Sequence, residues 1–265
     1  MSQASPRPGR LPWVAMTMVL CGLTLPISSA HAEWTIGGGF EHFSWTEDVE
    51  PLPVEERGML QFLRLGVSTS LPNRTSIGYR GRFYFGEVNY EGSLLYDPTT
   101  PITATTRYTG TTQQGWMGLE VAPQFALTAG LDLDFWSRNL SSDQVEDYSI
   151  VSMRLGAEHR SSVATPWQAA AGIKFTLATN EDAHFETLGF EENPPLQPGQ
   201  SVTPYLDVGY SFTPSWSVAG SFDGFSFGES EGVQLSNGSQ SGIYFQPAST
   251  MQVLGIRIEY RPVGR

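Results

Sequence analysis

The sequence predicts an antiparallel, up-and-down transmembrane β-barrel of about ten strands. Segments along the chain alternate apolar and polar side chains, which is the period of a strand with one apolar and one polar face. Short proline-containing turns alternate with long loops, as in barrels that cross a membrane. Beyond the N-terminus, no stretch approaches the roughly 18 apolar residues of a membrane helix, so a spanning fold has to be a barrel.

Residues 1–32 predict a cleaved secretory signal peptide. Arg7 and Arg10 supply its positive start, and an apolar run follows over residues 11–26. Ala30-His31-Ala32 is an A-x-A cleavage site. The alternative, an uncleaved anchoring helix, is disfavoured because the apolar run is too short to span a bilayer.

Residues 33–265 are expected to form a single domain. The only cysteine, Cys21, falls in the signal segment, which excludes disulfides, cysteine nucleophiles and cysteine metal sites from the mature chain. The net charge of −12 becomes −14 once Arg7 and Arg10 are removed. Such an acidic chain is unsuited to nucleic acid through bulk charge. No cofactor is expected, because no motif that binds one is found.

Ten strand candidates are joined by four short turns and five long loops. The turns contain proline, which cannot donate to a sheet ladder. They lie at 71–74, 122–124, 161–166 and 213–215. The long loops lie near 47–56, 88–104, 139–147, 180–200 and 228–247. These numbers match ten strands that begin and end on the periplasmic side and carry their long loops outside.

The strand candidates differ in how clearly they alternate. The first, over 34–45, is interrupted by Gly37-Gly38-Gly39, which indicates sharp curvature or close backbone approach. The fourth follows a threonine-rich stretch, 99–112, that suits a strand projecting above the membrane. The ninth, over 216–227, is also weak. The clearer apolar faces are Leu63, Leu65, Val67 and Leu71; Ile77, Tyr79, Phe83 and Phe85; Phe125, Leu127, Leu131, Leu133 and Phe135; Trp167, Ala169, Ala171, Ile173, Phe175 and Leu177; and Leu206, Val208, Tyr210 and Phe212.

The last strand, over 251–260, places its apolar residues on one face and ends on an aromatic side chain. The spacing Gly255-x-x-Ile258-x-Tyr260 resembles the C-terminal strand that bacterial outer-membrane barrels present to their insertion machinery. The usual pattern ends on the aromatic residue itself, whereas here a short polar tail follows. The resemblance implies an outer-membrane location, with membrane lipid, lipopolysaccharide and the insertion machinery as partners.

Aromatic residues favour a membrane barrel over a soluble β-sandwich or a periplasmic lipocalin-like binding barrel. A soluble fold would show similar alternation. A ring of amphipathic aromatics beside one rim is instead typical of a membrane interface. The residues expected in this ring are Trp34, Phe125, Trp167, Phe212, Trp216 and Tyr260.

The polar strand faces carry charges of both signs into one narrow lumen. Buried charges persist only when they are paired and hydrogen-bonded, and a small barrel is filled by its own side chains. We therefore expect an interior ion-pair network that leaves at most a narrow path for small solutes. Its predicted members are Arg64, Arg80, Arg82, Glu120, Asp132, Asp134, Arg154, Lys174, Asp207, Arg257 and Glu259.

Most remaining acids lie in or beside the predicted external loops, where solvated loop tips are expected. A sharper hypothesis is a Ca²⁺ or Mg²⁺ site near Glu47, Asp48 and Glu50, since these ions take carboxylate oxygens. The loop acids are Glu47, Asp48, Glu50, Glu55, Glu56, Glu87, Glu91, Asp97, Asp143, Glu146, Asp147, Glu181, Asp182, Glu186, Glu191, Glu192, Glu229 and Glu231.

Two residue pairs carry a resemblance to a protease family. Asp132-Leu133-Asp134 and Asp182-Ala183-His184 are similar to the aspartate pair and the aspartate–histidine pair of omptins, which are ten-stranded outer-membrane proteases. The resemblance implies catalytic roles for Asp132, Asp134, Asp182 and His184. The first pair, however, lies on the fifth strand, below the rim where the family places it. A lipid A-modifying barrel with His159 at a lipid-facing rim is a further alternative.

The sequence thus predicts a non-enzymatic outer-membrane barrel with a narrow porin-like, surface-binding or structural role. The alternatives are an omptin-like protease and a soluble lipocalin-like binding barrel. Whether residues 180–200 fold inward as a plug is left open.

Overall fold

The computed structural model describes residues 32–94, 97–141, 144–160, 165–237 and 241–262. Nearly all of the predicted signal peptide, and residues 161–164 of one predicted turn, lie outside the described residues. Within the described part of the chain, no helix is long and apolar enough to cross a membrane.

Ten strands close an antiparallel barrel, in the ring order β1-β12-β9-β8-β7-β6-β5-β4-β3-β2. Two further strands, β10 and β11, pair as a hairpin within the fifth external loop. The predicted up-and-down barrel is therefore confirmed. The strands are β1 (Glu33–Glu47), β2 (Val54–Leu71), β3 (Thr75–Leu94), β4 (Asp97–Ala122), β5 (Phe125–Asn139), β6 (Val145–His159), β7 (Trp167–Asp182), β8 (Val202–Ser211), β9 (Trp216–Phe227), β10 (Val233–Ser236), β11 (Ser241–Tyr244) and β12 (Ser249–Tyr260).

The predicted loop at 88–104 is wrong, because β3 and β4 continue as a projecting hairpin almost to its tip. Their ladder runs through Glu87 paired with Arg107 and reaches Gly92 paired with Ile102. Threonine is the commonest residue in this stretch, and β-branched residues favour strands. The charged side chains of Glu87 and Arg107 also form an exposed ion pair of 2.8 Å.

The outer surface of the barrel is apolar. Leu63, Leu131 and Ile258 are each more than half exposed, as are many other aliphatic side chains on the same face. The predicted aromatic ring is also present, and Trp216 and Tyr260 contact each other there with ring centroids 4.9 Å apart. An apolar band of this extent is stable only when lipid covers it. The protein is thus a membrane β-barrel of the outer-membrane type, and the soluble alternatives lose their support.

Gly37 and Gly39 of β1 let the first and last strands approach closely, whereas Gly38 lies against β2. A side-chain carbon added to Gly39 would clash with the carbonyl oxygen of Ile256 on β12. The Gly37–Gly39 run therefore marks close backbone approach, one of the two readings that the sequence left open.

Aromatic side chains fill the upper lumen. Trp45 on β1 contacts Tyr148 on β6, with ring centroids 5.9 Å apart, and these two strands lie opposite each other in the ring. Trp136 stacks on Tyr148 from β5 and contacts Phe225 of β9. We call these residues and their neighbours the aromatic layer. Its members are Phe43, Trp45, Leu60, Phe62, Tyr84, Val88, Tyr108, Trp136, Tyr148, Ile150, Phe225, Phe227, Met251 and Val253.

A β-bulge in β7 changes which side chains face inward. Thr176 pairs with Ser152 and Ala178 pairs with Val151, so Leu177 is an extra residue between them. Below the bulge, Lys174 and Thr176 are buried in the lumen. Above it, the buried positions become Thr179 and Glu181.

We expect Leu131→Arg to destabilise the refolded barrel by about 2–4 kcal/mol, because the charge would face lipid near the midplane. Leu119→Arg, placed on the outer surface beside a periplasmic turn, is the matched control and should cost about 0–1 kcal/mol. Denaturant-dependent unfolding in lipid vesicles would measure both. Equal, negligible effects would contradict the assignment of the outer face.

Candidate functional site

The middle of the lumen holds a group of paired charges below the aromatic layer. Arg154 bonds both Asp132 and Asp223, and Lys174 donates to Asp223 at 2.7 Å. Asp134 accepts a hydrogen bond of 2.6 Å from Thr112 Oγ1. The structure therefore places four predicted network members (Asp132, Asp134, Arg154 and Lys174) together.

A second group of paired charges lies nearer the periplasmic end. Arg257 donates to Asp207 and to Glu259, each at 2.8 Å. Arg64 reaches the same two carboxylates across the lumen, at 3.6 and 3.5 Å. Each carboxylate thus faces two guanidinium groups, which is the multidentate pairing that arginine favours.

Three predicted network members lie outside these two groups. Arg82 contacts Glu41 at 3.4 Å and lies over the ring of Tyr84. Arg80 donates to Gln114 at 3.0 Å instead of to a carboxylate. Glu120 is exposed beside a periplasmic turn, and the described residues include no ion-pair partner for it.

The strongest concentration of charge lies above the aromatic layer, where the sequence predicted solvated loop tips. Glu47, Glu56, Glu146 and Glu181 turn inward and surround one arginine, Arg138. All five side chains are buried. We call this group the carboxylate cage, and the expectation that these four acids lie in solvent was wrong.

Arg138 is the centre of the carboxylate cage. Its Nη1 donates to Glu47 Oε1 and to Glu146 Oε2, both at 2.7 Å. Its Nε and Nη2 donate to Glu56 Oε1, at 3.0 and 2.7 Å. Since these bonds reach from β5 to β1, β2 and β6, the guanidinium ties four strands together across the external end of the barrel.

The cage contains more negative than positive charge. Four carboxylates face one guanidinium, so full ionisation would leave three negative charges in excess within a buried space. Burial raises the pKa of Glu146, and it raises the pKa of Glu181 well above its ordinary range, with the nearby carboxylates adding to the shift. The same carboxylates raise the pKa of Arg138 despite its burial, so the guanidinium stays charged.

Alternation along the strands could have revealed part of the cage. Arg138 continues the inward series of Asp132, Asp134 and Trp136 by one more step of two. Glu181 could not have been found in this way. The bulge at Leu177 reverses the alternation before it, and a bulge leaves no clear signal in this sequence.

Two external loops form an ordered cap beside the cage, and we define the cap as residues 183–199 with residues 228–247. Phe185, Phe190, Leu196 and Leu235 form its buried apolar cluster. Phe185–Leu188 is a short 3-10 helix, and the β10–β11 hairpin supplies Leu235. The lumen is filled by strand side chains, and the 180–200 segment contributes to this cap instead of forming a plug.

The outside of the cap is acidic. Glu186, Glu191, Glu192, Glu229 and Glu231 are all exposed. The sequence contains neither lysine nor arginine from residue 175 to residue 256. The cap therefore has no lysine or arginine of its own, and its one histidine, His184, contacts Glu186.

The predicted Ca²⁺ or Mg²⁺ site is not assembled. Glu47 points into the cage, whereas Asp48 and Glu50 are exposed. Among the described residues, Asp182, His184 and Glu186 bring three donor atoms close together. His184 is already held by Asp147 at 2.9 Å and by Glu186 at 3.1 Å, and these carboxylates raise its pKa. We therefore read this group as a hydrogen-bonded ion-pair cluster that orders the loop.

The two omptin-like pairs do not face each other across the barrel mouth. Asp132 is fully buried in the lumen and bonds Arg154. The pairing ladder places Asp134 level with Ile150 and Thr179, so Asp182 lies three residues, or roughly 10 Å, further out. Asp182 Oδ1 accepts hydrogen bonds from the His184 backbone and from Asn193. The arrangement does not reproduce the protease layout.

Two other side chains that could suggest catalysis have structural partners. Ser230 is the serine of a G-x-S-x-G pattern at 228–232, but it is buried in the cap and accepts a hydrogen bond from the Gln246 backbone at 2.9 Å. The strand-turn-helix that exposes such a serine in hydrolases is not found there. His159 packs on Phe125, with centroids 4.9 Å apart, near the periplasmic end.

The predicted assembly signal lies on the closing strand. Gly255 of β12 pairs with Glu41 of β1 and with Ser221 of β9. Ile258 faces outward, and Tyr260 joins the aromatic ring through Trp216.

Comparison with known proteins finds neither a matching protein-family model nor a matching curated sequence. Among solved structures, an outer-membrane channel from Pseudomonas putida F1 is similar, with 12% identity and a TM-score of 0.43 over 90% of this chain and 97% of that one. The toluene transporter TodX from Pseudomonas putida has 9% identity and a TM-score of 0.39, over 88% and 89%. The attachment invasion locus protein Ail of Yersinia pestis has 8% identity and a TM-score of 0.34, over 87% and 99%. Both the sequence identity and the structural similarity are low in all three comparisons.

We expect Arg138→Gln to destabilise the barrel by about 3–5 kcal/mol, because it leaves buried carboxylates without their cation. Arg57→Gln removes an exposed pair with Glu55 and should cost about 1 kcal/mol or less. Urea-dependent unfolding of the refolded protein would compare the two variants. A cost for Arg138→Gln as small as that of the control would show that the cage does not hold the external end together.

Proposed function

We propose that this protein is a non-conducting outer-membrane barrel that presents an ordered acidic cap at the cell surface and binds cationic partners there. The observation that carries the proposal is the filled lumen beneath the cap. The sequence is compatible with both a porin-like role and a surface-binding role, and the filled lumen favours surface binding.

The filled lumen argues against ion flow. Rings from opposite strands, Trp45 and Tyr148, contact each other in the aromatic layer. Ion pairs also cross the lumen, from Arg138 to Glu47 above this layer and from Arg64 to Asp207 below it. An ion would have to displace packed rings and break paired charges, both of which are costly in a confined, poorly hydrated space.

The acidic cap supports binding of cationic groups. Its exposed carboxylates project from a preformed apolar cluster, so little conformational entropy is lost when a partner binds. Electrostatic attraction would guide a basic peptide or a cationic surface toward them.

A non-enzymatic role fits this site best, because the omptin-like residues are engaged in other contacts.

We further propose export through the signal peptide of residues 1–32 in a Gram-negative cell. Recognition of Gly255, Ile258 and Tyr260 by the barrel-insertion machinery, and contact of the apolar band with membrane lipid and lipopolysaccharide, belong to the same proposal.

Refolded protein is expected to be electrically silent in a planar lipid bilayer, whereas Trp45→Ala combined with Tyr148→Ala should give ion-conducting openings. The paired outer-surface change Trp167→Ala with Tyr210→Ala removes the same residue types and should stay silent. Steady, ion-selective steps from the unmodified protein, weakened by Arg82→Ala, would identify a pore and overturn the proposal.

Binding of an arginine-rich peptide, measured by fluorescence anisotropy at low salt, should weaken when four cap acids are changed together. The changes are Glu191→Gln, Glu192→Gln, Glu229→Gln and Glu231→Gln. A matched loss of four charges outside the cap, at Asp48, Glu50, Glu55 and Glu91, should have less effect. Added salt should reduce binding, since exposed charges are screened. Equal binding by all variants would remove the cap as the binding surface.

A further inference from the structure

Glu181 is a buried carboxylate without a cation of its own. Its side chain is 1% exposed at the external end of β7. Arg138 gives its hydrogen bonds to Glu47, Glu56 and Glu146, and no ion pair in the described part of the chain includes Glu181. It is therefore the fourth acid beside a guanidinium that three others already occupy.

Glu181 also joins both halves of the cap to the barrel wall. Its backbone exchanges two hydrogen bonds of 2.9 Å with Leu196, which belongs to the apolar cluster of the cap. Its carboxyl group lies against the side-chain amide of Gln246. With this amide turned so that its nitrogen faces the acid, the nitrogen donates to the two carboxyl oxygens at 3.1 and 3.2 Å. Gln246 in turn bonds Ser230 through backbone and side-chain contacts. Both cap loops therefore contact the same acidic residue.

Burial and the like charges that face Glu181 disfavour its charged form. Glu146 approaches from β6 and Glu47 from β1, and both carboxylates add to the effect of burial in raising its pKa. Tyr148, its direct cross-strand neighbour on β6, hydrogen-bonds Glu181 and acts in the opposite direction. Arg138 on β5 is the opposing cation, and its hydrogen bonds are directed to other carboxylates. Repulsion between like charges is strong where water is excluded. A proton on Glu181 removes that repulsion and leaves the contact with Gln246 in place.

We propose that Glu181 is a proton-binding latch, whose protonated side chain holds the cap closed and whose ionisation as the pH rises releases the cap from the barrel. The proposal is independent of the cationic partner and of the non-conducting lumen, because it concerns only the closure of the cap.

The direction of the pH dependence follows from the linkage between proton binding by Glu181 and closure of the cap. The pKa of Glu181 is raised in the closed state, so closure is strongest below the ordinary glutamate value of about 4.3. Above that value the open cap gains an ionised Glu181, and closure weakens roughly tenfold per pH unit until the raised pKa is passed. The raised pKa of Glu146 acts in the same direction.

Hydrogen exchange of the refolded mature protein between about pH 5 and pH 9 tests the latch, after correction for the intrinsic pH dependence of exchange. Protection of the Leu196 amide should fall roughly tenfold per pH unit over part of this range. Glu181→Gln mimics the protonated acid and should stay protected throughout. Glu192→Gln removes an exposed cap acid of the same type and should follow the unmodified protein.

Protection that does not change with pH in the unmodified protein would overturn the proposal. A pH-dependent loss that persists in Glu181→Gln would overturn it as well. If that variant fails to refold, judged by heat-modifiable gel migration, Glu47→Gln provides the second test. Removing this neighbouring charge should reduce the loss of protection at high pH, and an unchanged profile would count against the latch.

Discussion

The strands direct charged side chains into a lumen that is too narrow to hydrate them. The rest of the structure depends on how those charges are paired. Lipid fixes the apolar face outward, so the polar face has no alternative to the interior. There, Arg138 and Arg154 each bond two or more carboxylates on other strands, and Arg257 bonds Asp207 on β8 and Glu259 on its own strand. The cross-strand pairs set which strands can approach, and the aromatic layer fills the space between two levels of charge.

The fold was predictable from the sequence because lipid requires every barrel strand to place its apolar side chains outward. The alternation of Leu63, Leu131 and Ile258 with polar residues, the proline turns and the aromatic ring all report one boundary between lipid and interior. The rule that apolar side chains face lipid does not apply to residues outside the membrane. The sequence therefore predicted a loop where the β3–β4 hairpin projects, and it predicted solvated side chains for the acids of the carboxylate cage.

The site was less predictable, because it depends on contacts between distant strands and on one irregularity. The inward orientation of Arg138 could have been predicted by extending the alternation of β5. The inward orientation of Glu181 could not, because the extra residue at Leu177 turns it inward and no residue type signals that bulge. The same shift brings an acid next to Glu146 and Gln246, so a single inserted residue adds the fourth carboxylate to the cage and connects the cage to the cap.

The absence of lysine and arginine from residue 175 to residue 256 has a consequence for the life of the protein at a cell surface. Proteases of the trypsin type cleave after basic side chains, and the whole cap lies between Lys174, which is buried in the lumen, and Arg257, which is buried on the closing strand. Such a protease has no point of attack on the cap, folded or unfolded, while enzymes that cleave after acidic residues would find several. The composition that makes the cap acidic also makes it resistant to one large class of proteases.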